Sequence, residues 1–330
     1  MKIVITGGGG FLGRRLAQAL LQRGALRNHR GELESLDTLV LFDVIPAVLP
    51  DASDARVQAV TGDITDPAQL ARVIDDRTTS VFHFAAVVSA AAEADFDLGM
   101  RINLSGTLAV LDACRALPHA PRVIFTSSVA SYGGELPEVV DDTTPLTPQS
   151  SYGTQKALGD LLINDYTRKG FIDGRVVRLP TVVVRPGKPN KAASSFASGI
   201  IREPLTGVDA ICPVTPETRV AILSPRRAVD AFLHAHELPA ESWGDYRSLN
   251  VPALSVEVHE MLEALQRVAG ERPLGKIIWE PDAEIQRIVG GWPGRFTSER
   301  AVRLDFQTNA SMDEIIQAFI EDDLPSTATT

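Results

Sequence analysis

Cysteine is nearly absent. Cys114 and Cys212 stand far apart and belong to no CxxC or Cys/His cluster, which argues against a disulfide framework or a structural zinc site and makes a reducing cytoplasm the expected compartment. Aromatic residues make up only 6% of the chain, so a core has to be built mostly from Val, Leu, Ile and Ala. Positive charge is in deficit: 32 Lys and Arg face 42 Asp and Glu, a net charge of −10. That balance argues against nucleic acid or an anionic membrane as a general partner. No apolar run approaches the roughly 20 residues that span a bilayer, and the opening Met1-Lys-Ile-Val-Ile-Thr is too short for the apolar segment of a secretory signal. The six histidines form no metal pattern: His234 and His236 diverge on a helix, and His259-Glu260 lacks the second His of a zincin helix. No metal is expected, and the expectation is a soluble cytoplasmic protein.

What is present is size and alternation. With 330 residues and 44% hydrophobic composition, the chain can bury one large α/β unit or two unequal domains. Continuous apolar runs at 2–6, 38–44, 57–63, 80–86 and 122–128 read as buried strands. Helical patterns lie at 11–24, 67–76, 103–117 and 152–168. Runs apolar on both faces with helices between them predict a doubly wound parallel sheet, a Rossmann-type α/β fold. After about residue 184 the periodic runs shorten and Pro and Gly become frequent. The expected division is therefore a nucleotide-binding domain over 1–184 and mainly a smaller substrate-binding cap over 185–330, some of whose segments return to the sheet. An amphipathic helix is predicted over 255–269, a shorter one over 311–319, and fraying at the tail from Pro325.

The segment Thr6-Gly-Gly-Gly-Gly-Phe-Leu-Gly13 follows the first strand and opens the first helix. Gly7 can turn sharply, Gly10 lets the backbone approach a pyrophosphate, and Gly13 lets helix and strand pack closely. The helix N-terminus then offers N–H groups and partial positive charge to phosphates. An ordinary glycine-rich turn is the bland alternative, and a triphosphatase loop is excluded because no Gly-Lys-Ser/Thr follows. Asp43 ends the second strand, where a carboxylate accepts hydrogen bonds from both ribose hydroxyls and repels a 2′-phosphate, favouring NAD over NADP. Asp43 follows Gly13 by 30 positions, more than the usual spacing of roughly 20. The polar stretch 26–35 can supply the excess as an excursion. Asp63 and Ile64, at the end of the third strand, can hold the adenine amino group and ring, or simply mark a Gly-Asp turn.

Tyr152-Gly-Thr-Gln-Lys156 places a phenol and an ammonium one helical turn apart on one face. A phenol of pKa about 10 is a poor base at neutral pH. A neighbouring Lys⁺ and an oxidised nicotinamide both favour the phenolate. Ser127 and Ser128, at the end of the fifth strand, can offer a hydroxyl at the strand edge where ligands bind in such sheets. Alone, a YxxxK spacing means little; joined to the glycine loop, the acid after strand two and a serine before the Tyr, it becomes specific.

In combination the pieces TGGGGFLG (6–13), FHFAA (82–86), NLSGTLAVLDACR (103–115), FTSSVASYG (125–133) and YGTQK (152–156) resemble the extended short-chain dehydrogenase/reductase family, also called the NAD-dependent epimerase/dehydratase family. The likeness spans about the first 185 residues. It implies Tyr152 as acid/base, Lys156 as its partner and ribose anchor, and Ser128 as the positioning hydroxyl. The offset to Tyr132 selects Ser128 over Ser127, although either can serve. The resemblance further implies cofactor contacts at Gly7, Gly10, Phe11, Leu12, Gly13, Asp43, Asp63, Ile64, Ala85, Ala86, Asn103, Tyr152, Lys156, Pro180 and Val182. Asn103 is expected to start a helix that supports the active site. A homodimer through the helices at 103–117 and 152–168 is implied as well.

Dehydratases of that family carry an Asp-Glu pair after the first strand-five hydroxyl; here the stretch reads Ser-Ser-Val-Ala-Ser-Tyr, so dehydration is disfavoured. The stretch 178–207 and the long interval before Asp43 resemble the branch that oxidises the C2 hydroxyl of the four-carbon sugar acid D-erythronate to the 2-oxo acid with NAD. Such a substrate needs positive or N–H donors for its carboxylate. The substrate contacts are placed at Ser89, Ser128, Tyr152, Thr181, Arg185, Asn190 and Arg219, with Lys188 a further cation; for each charge the bland alternative is a solvated surface. Two other functions stand beside this one: a nucleotide-sugar 4-epimerase of the same family, and a non-catalytic NAD-binding redox sensor, which would not need the Ser/Tyr/Lys set.

Overall fold

A computed structural model describes residues 1–48, 53–187 and 193–324. The chain divides into two units that interleave in sequence. One gathers Met1–Ser131, Ser150–Arg178 and Val229–Leu249; the other gathers Tyr132–Gln149, Leu179–Ala228 and the chain from Asn250 onward.

The first unit is built on a seven-stranded sheet: β1 (Lys2–Thr6), β2 (Thr38–Asp43), β3 (Val57–Thr61), β4 (Thr78–His83), β5 (Arg122–Ser128), β6 (Asp173–Leu179) and β7 (Ser248–Asn250). Their order across the sheet is β7-β6-β5-β4-β1-β2-β3. The pairs β1–β2, β1–β4, β2–β3 and β4–β5 are parallel, with Thr6 level with Phe42 on one side and with His83 on the other. Sheet order reverses beside β1, so the loops after β1 and β4 meet at a topological switch point, the usual ligand crevice of open α/β sheets. Every residue of β1 is buried, as continuous apolar strands covered on both faces must be.

Four helices matter for the site: α1 (Phe11–Arg23), α2 (Pro67–Val73), α3 (Gly106–Arg115) and α4 (Ser151–Arg168). Asp66 caps α2 by accepting from the N–H groups of Ala68 and Gln69, with Pro67 in the first turn. Ser150 caps α4 through the N–H of Gly153. Both satisfy helix donors that have no intrahelical partner. The core joins Val4, Val40, Phe42 and Val81 of the sheet to Val110 and Leu111 of α3 and Ile163 of α4. Residues 229–249 return to this unit for a polar reason. The guanidinium of Arg175, paired with Asp173, donates to the carbonyls of Ala235, His236 and Leu238, and Arg122 donates to the His236 carbonyl at 2.7 Å. Four carbonyl interactions at a helix end hold that segment to the sheet, which no periodicity in the sequence announces.

The interval between Gly13 and Asp43 contains a small antiparallel hairpin, Ala25–Arg27 with Leu33–Ser35. Three expected boundaries move. The run at 80–86 leaves the sheet after His83, freeing residues 84–87 to line a pocket. The helix expected to begin at Asn103 is part of a longer helical run. Phe96–Gly99 passes into a π-helical stretch, Met100–Ser105, and then into α3, so Asn103 sits mid-helix where the widened turn redirects its side chain. The expected helix 255–269 opens as a strand, Leu254–Glu257, because Leu254–Glu257 pairs antiparallel with Arg219–Ile222. The helix proper is Val258–Ala269, with Glu257 and Glu260 forming a capping box.

The second unit carries a three-stranded sheet (Leu254–Glu257, Arg219–Leu223, Thr181–Val182) and a two-stranded one (Ala210–Cys212, Ile277–Trp279). Its own core gathers Ile200, Ile201, Ile222, Met261, Leu265, Ile315 and Phe319. Among the described residues no helix is long and apolar enough to cross a membrane. Cys114 and Cys212 are buried free thiols.

Helix α4 lies so close to β5 that a Cβ at Gly159 would overlap the Phe125 ring. Gly159→Ala is expected to destabilise the protein by about 1–3 kcal/mol, seen as a lower denaturant midpoint at unchanged slope.

Candidate active site and cofactor cradle

The loop after β1 is shaped by the absence of side chains. Gly7 has φ of +73°, and a Cβ there would lie 2.7 Å from the Ala85 nitrogen; a Cβ on Gly13 would overlap the Gly7 carbonyl. Gly10 donates to the Gly7 carbonyl at 3.0 Å and begins α1 with no side-chain cap. The first-turn N–H groups of α1 therefore have no side-chain acceptor competing for them, the arrangement that suits an anionic phosphate. Asp43 at the end of β2 is oriented by the chain itself: its Oδ2 accepts from Gly9 N–H at 2.9 Å and its Oδ1 from Ile45 N–H at 3.3 Å.

These groups open onto a pocket of about 350 Å³ lined by Gly7, Gly10, Asp43, Asp63, Ile64, Ala85, Ala86, Val87 and Arg101, among others. Its volume lies within the range of small-molecule sites. The glycine cradle, the oriented acid and the pocket together fit part of a dinucleotide. Of the residues predicted to touch a cofactor, Phe11 and Leu12 stand in the first turn of α1, half-buried. Ile64 is buried against Gly106, where a Cβ would meet it at 2.8 Å. The Asp63 carboxylate accepts from Thr65 N–H at 2.8 Å and Thr65 Oγ1 at 2.7 Å, and faces Arg101 at 3.4 Å. The Thr65 hydrogen bonds foremost, with Arg101, hold its carboxyl below the usual range.

Behind Ala85–Val87 runs a buried polar network that the sequence reading left out. Ala85 N–H donates to Thr6 Oγ1 at 3.4 Å; Thr6 Oγ1 meets His83 Nδ1 at 2.7 Å; His83 Nε2 meets Thr107 Oγ1 at 2.9 Å; Thr107 Oγ1 donates to the Asn103 carbonyl at 2.6 Å. Thr107 spends its single proton on that carbonyl, so His83 Nε2 is the donor, and Nδ1 accepts from Thr6. Burial, with the Lys156 charge adding, pushes His83 down to about 3, so it stays neutral. Asn103 clasps Val87 at both backbone groups, its Oδ1 accepting from Val87 N–H at 2.7 Å and its Nδ2 donating to the Val87 carbonyl at 3.0 Å. Finding this network required the register that sets Thr6 beside His83.

On α4, Tyr152 is half-buried and Lys156 is 4% exposed. The Lys156 Nζ donates to the Thr126 carbonyl at 2.8 Å and lies 4.8 Å from the Phe125 ring centroid and 5.6 Å from that of Tyr152. The two side chains thus share one helix face. Burial lowers the Lys156 pKa to about 8, opposed by the Asp160 carboxylate one turn further on; the group is still predominantly ammonium at neutral pH. Strand alternation sends Ser127 and Ser128 to opposite faces. Ser127 is sealed beside Asp160, whereas Ser128 is half-exposed, its Oγ accepting from Ala130 N–H at 3.1 Å. Of the two hydroxyls, Ser128 is the one within reach of a solute.

The predicted substrate residues scatter more widely. Ser89 opens a short helix, Ser89–Ala94, in the first unit. In the second unit Pro180 is buried and Thr181–Val182 pairs in parallel with Ile222 and Leu223. Arg185 is fixed through its N–H to Ser198 Oγ at 3.0 Å, and its guanidinium rests against Ser194 Oγ at 3.3 Å. Arg219 pairs with Glu257, which offsets the charge it was expected to offer a carboxylate. Asn190 and Lys188 lie outside the described residues. No group of three or more His, Cys, Asp or Glu among the described residues is arranged to hold a metal.

The model of the NAD dependent epimerase/dehydratase family matches residues 3–245. This chain belongs to that family. A D-erythronate dehydrogenase of Cupriavidus necator is 58% identical over 98% of both chains, and one of Haemophilus influenzae is 47% identical over 98% of this chain and 100% of its own. A crystal structure titled as a nucleoside-diphosphate-sugar epimerase from Agrobacterium tumefaciens is 43% identical and superposes with a TM-score of 0.92 over 98% of this chain and 94% of that one.

Lys156 gives this family member a pH signature. Its folded pKa, about 8, lies below the ordinary lysine value of 10.5. The unfolded chain therefore binds more protons than the folded one between those values, and the penalty of burying the ammonium disappears as pH rises through that window. The unfolding free energy of the wild type relative to Lys156→Met is expected to rise between pH 8 and 10.5 and to be flat below it, measured by denaturant unfolding at each pH.

Proposed function

We propose that this protein is an NAD-dependent dehydrogenase that oxidises the C2 hydroxyl of D-erythronate to the 2-oxo acid. The observation that carries the chemistry is the buried Lys156 ammonium lying beneath Tyr152, one helical turn away, with its proton directed to the Thr126 carbonyl. The observation that supports the substrate is the near-full-length likeness to two D-erythronate dehydrogenases.

NAD, when bound, supplies the acceptor for the hydrogen leaving C2. The chain's own residues do the rest. The Tyr152 phenolate takes the proton of the C2 hydroxyl while the Ser128 hydroxyl orients that oxygen, and the positive charge of Lys156 favours the phenolate. Gly7, Gly10, Phe11, Leu12 and Gly13 hold the pyrophosphate, Asp43 the adenosine ribose, Asp63 and Ile64 the adenine. Ala85, Ala86, Asn103, Lys156, Pro180 and Val182 support the nicotinamide half. The substrate rests on Ser89, Ser128 and Thr181, and Arg185 meets its carboxylate. The protein works in the cytoplasm as a homodimer, paired through α3, α4 and the helical stretch before α3; sedimentation at working concentration is expected to give twice the chain mass.

The reading is tested by following NADH appearance with a panel of four-carbon sugar acids. D-Erythronate is expected to give net NADH, whereas a 4-epimerase returns its hydride to the product and a sensor turns nothing over, so absence of NADH with every acid sinks the proposal. Tyr152→Phe is expected to abolish nearly all turnover with NAD affinity retained, and Ser128→Ala to lower kcat by about 10²-fold or more.

A further inference from the structure

Gln155 stands between the acid/base residue and its lysine in the motif, and nothing in the proposed chemistry uses it. It is 1% exposed. Its Oε1 accepts from Asn103 Nδ2 at 2.7 Å, and Asn103 in turn holds both backbone groups of Val87 in the pocket wall. Its Nε2 is buried with no acceptor among the described residues. Space for the amide comes from Gly99, where a Cβ would lie 2.6 Å from that Nε2. A buried amide donor left without a partner is a net cost to the fold. For packing alone, a Leu or Met in this position would avoid that cost. What only the amide supplies is the oxygen that receives Asn103.

We infer that Gln155 is a positioning residue: through Asn103 it ties the helix bearing Tyr152 and Lys156 to the Ala85–Val87 wall of the cofactor pocket. An Asn side chain rotates readily about its last torsion, and two of its polar atoms already face Val87. The second proton of Asn103 Nδ2 needs an acceptor on the α4 side, and Gln155 Oε1 provides it. With that bond in place the Asn103 amide has one orientation, donor to the Val87 carbonyl and acceptor from its N–H. Without it the amide loses its anchor and the wall segment is held by Asn103 alone. Because α4 carries Gln155 next to Lys156, the wall and the phenol–ammonium pair are set from a single helix face.

The inference rests on the reading of the pocket as the NAD site, so its test uses NAD alone and needs no sugar acid. Calorimetric titration of NAD compares wild type, Gln155→Met (similar volume, no acceptor) and Gln155→Glu (acceptor kept). The Met variant is expected to bind NAD about tenfold more weakly, the loss of roughly one hydrogen bond. Its unfolding midpoint should change little, and amide exchange should accelerate at residues 84–88. The Glu variant should stay within about threefold of wild type. In turnover assays the Met substitution should raise the KM for NAD far more than it lowers kcat. A Met variant that binds NAD as wild type does, or a Glu variant that loses as much as the Met one, overturns the inference while leaving the cofactor reading intact. A wild type that fails to bind NAD overturns both. If the Met variant does not fold, Gln155→Ser, too short to reach Asn103, takes its place with the same expected loss.

Discussion

The arrangement of this site depends on a charge kept where water does not reach it. The Lys156 ammonium has one carbonyl, Thr126, and two aromatic faces, Phe125 and Tyr152, for company. An ammonium loses much of its favourable hydration on burial, and the lowered pKa records that cost. The surroundings limit it in two ways. The Asp160 carboxylate, itself bound by Arg178 at 2.6 Å, supplies opposing negative charge one turn along α4, and His83 nearby is held neutral so that no second cation competes. The close approach of α4 to β5, permitted by Gly159, brings the ammonium to the end of the strand that ends at Ser128.

The cofactor cradle follows a similar economy of backbone. Where Gly7 and Gly13 lack Cβ atoms, chain passes within contact distance of chain, and the N–H of Gly9 orients Asp43. The pocket wall across from it is fixed from behind by hydroxyls, one imidazole and two amides, all buried. Rigidity at Val87 is thus produced by side chains that do not themselves border the pocket, which is how preorganised sites are commonly supported.

Much of this was legible in the sequence, because the sheet and the site announce themselves locally. Apolar runs gave β1, β2, β3 and β5 to within a few residues, the glycines marked the first turn, and the Tyr152–Lys156 spacing is readable from helix geometry alone. What was not legible depends on pairs distant in the chain. The π-helical stretch before α3 hides inside an unbroken helical pattern, so Asn103 looks from sequence like a helix start. Leu254–Glu257 alternates too briefly to be told from the helix that follows it. The Thr6–His83–Thr107 relay exists only once strand order sets Thr6 against His83. Gln155 carries no signal in a motif whose Tyr and Lys draw the attention, and Arg219 met Glu257 across a strand pair that periodicity could not supply.

The way the two units alternate along the chain has a genetic consequence. A gene cut after residue 184 would encode β1 through β6 but not β7 or the carbonyl-bearing helix end that Arg122 and Arg175 grip. It would leave β6 as a bare edge, with buried arginines stripped of acceptors, a state inclined to aggregate rather than fold. Recombination between relatives is therefore expected to avoid exchanging the segments on either side of residue 184, and an insertion at that point would divide the first unit rather than separate two domains.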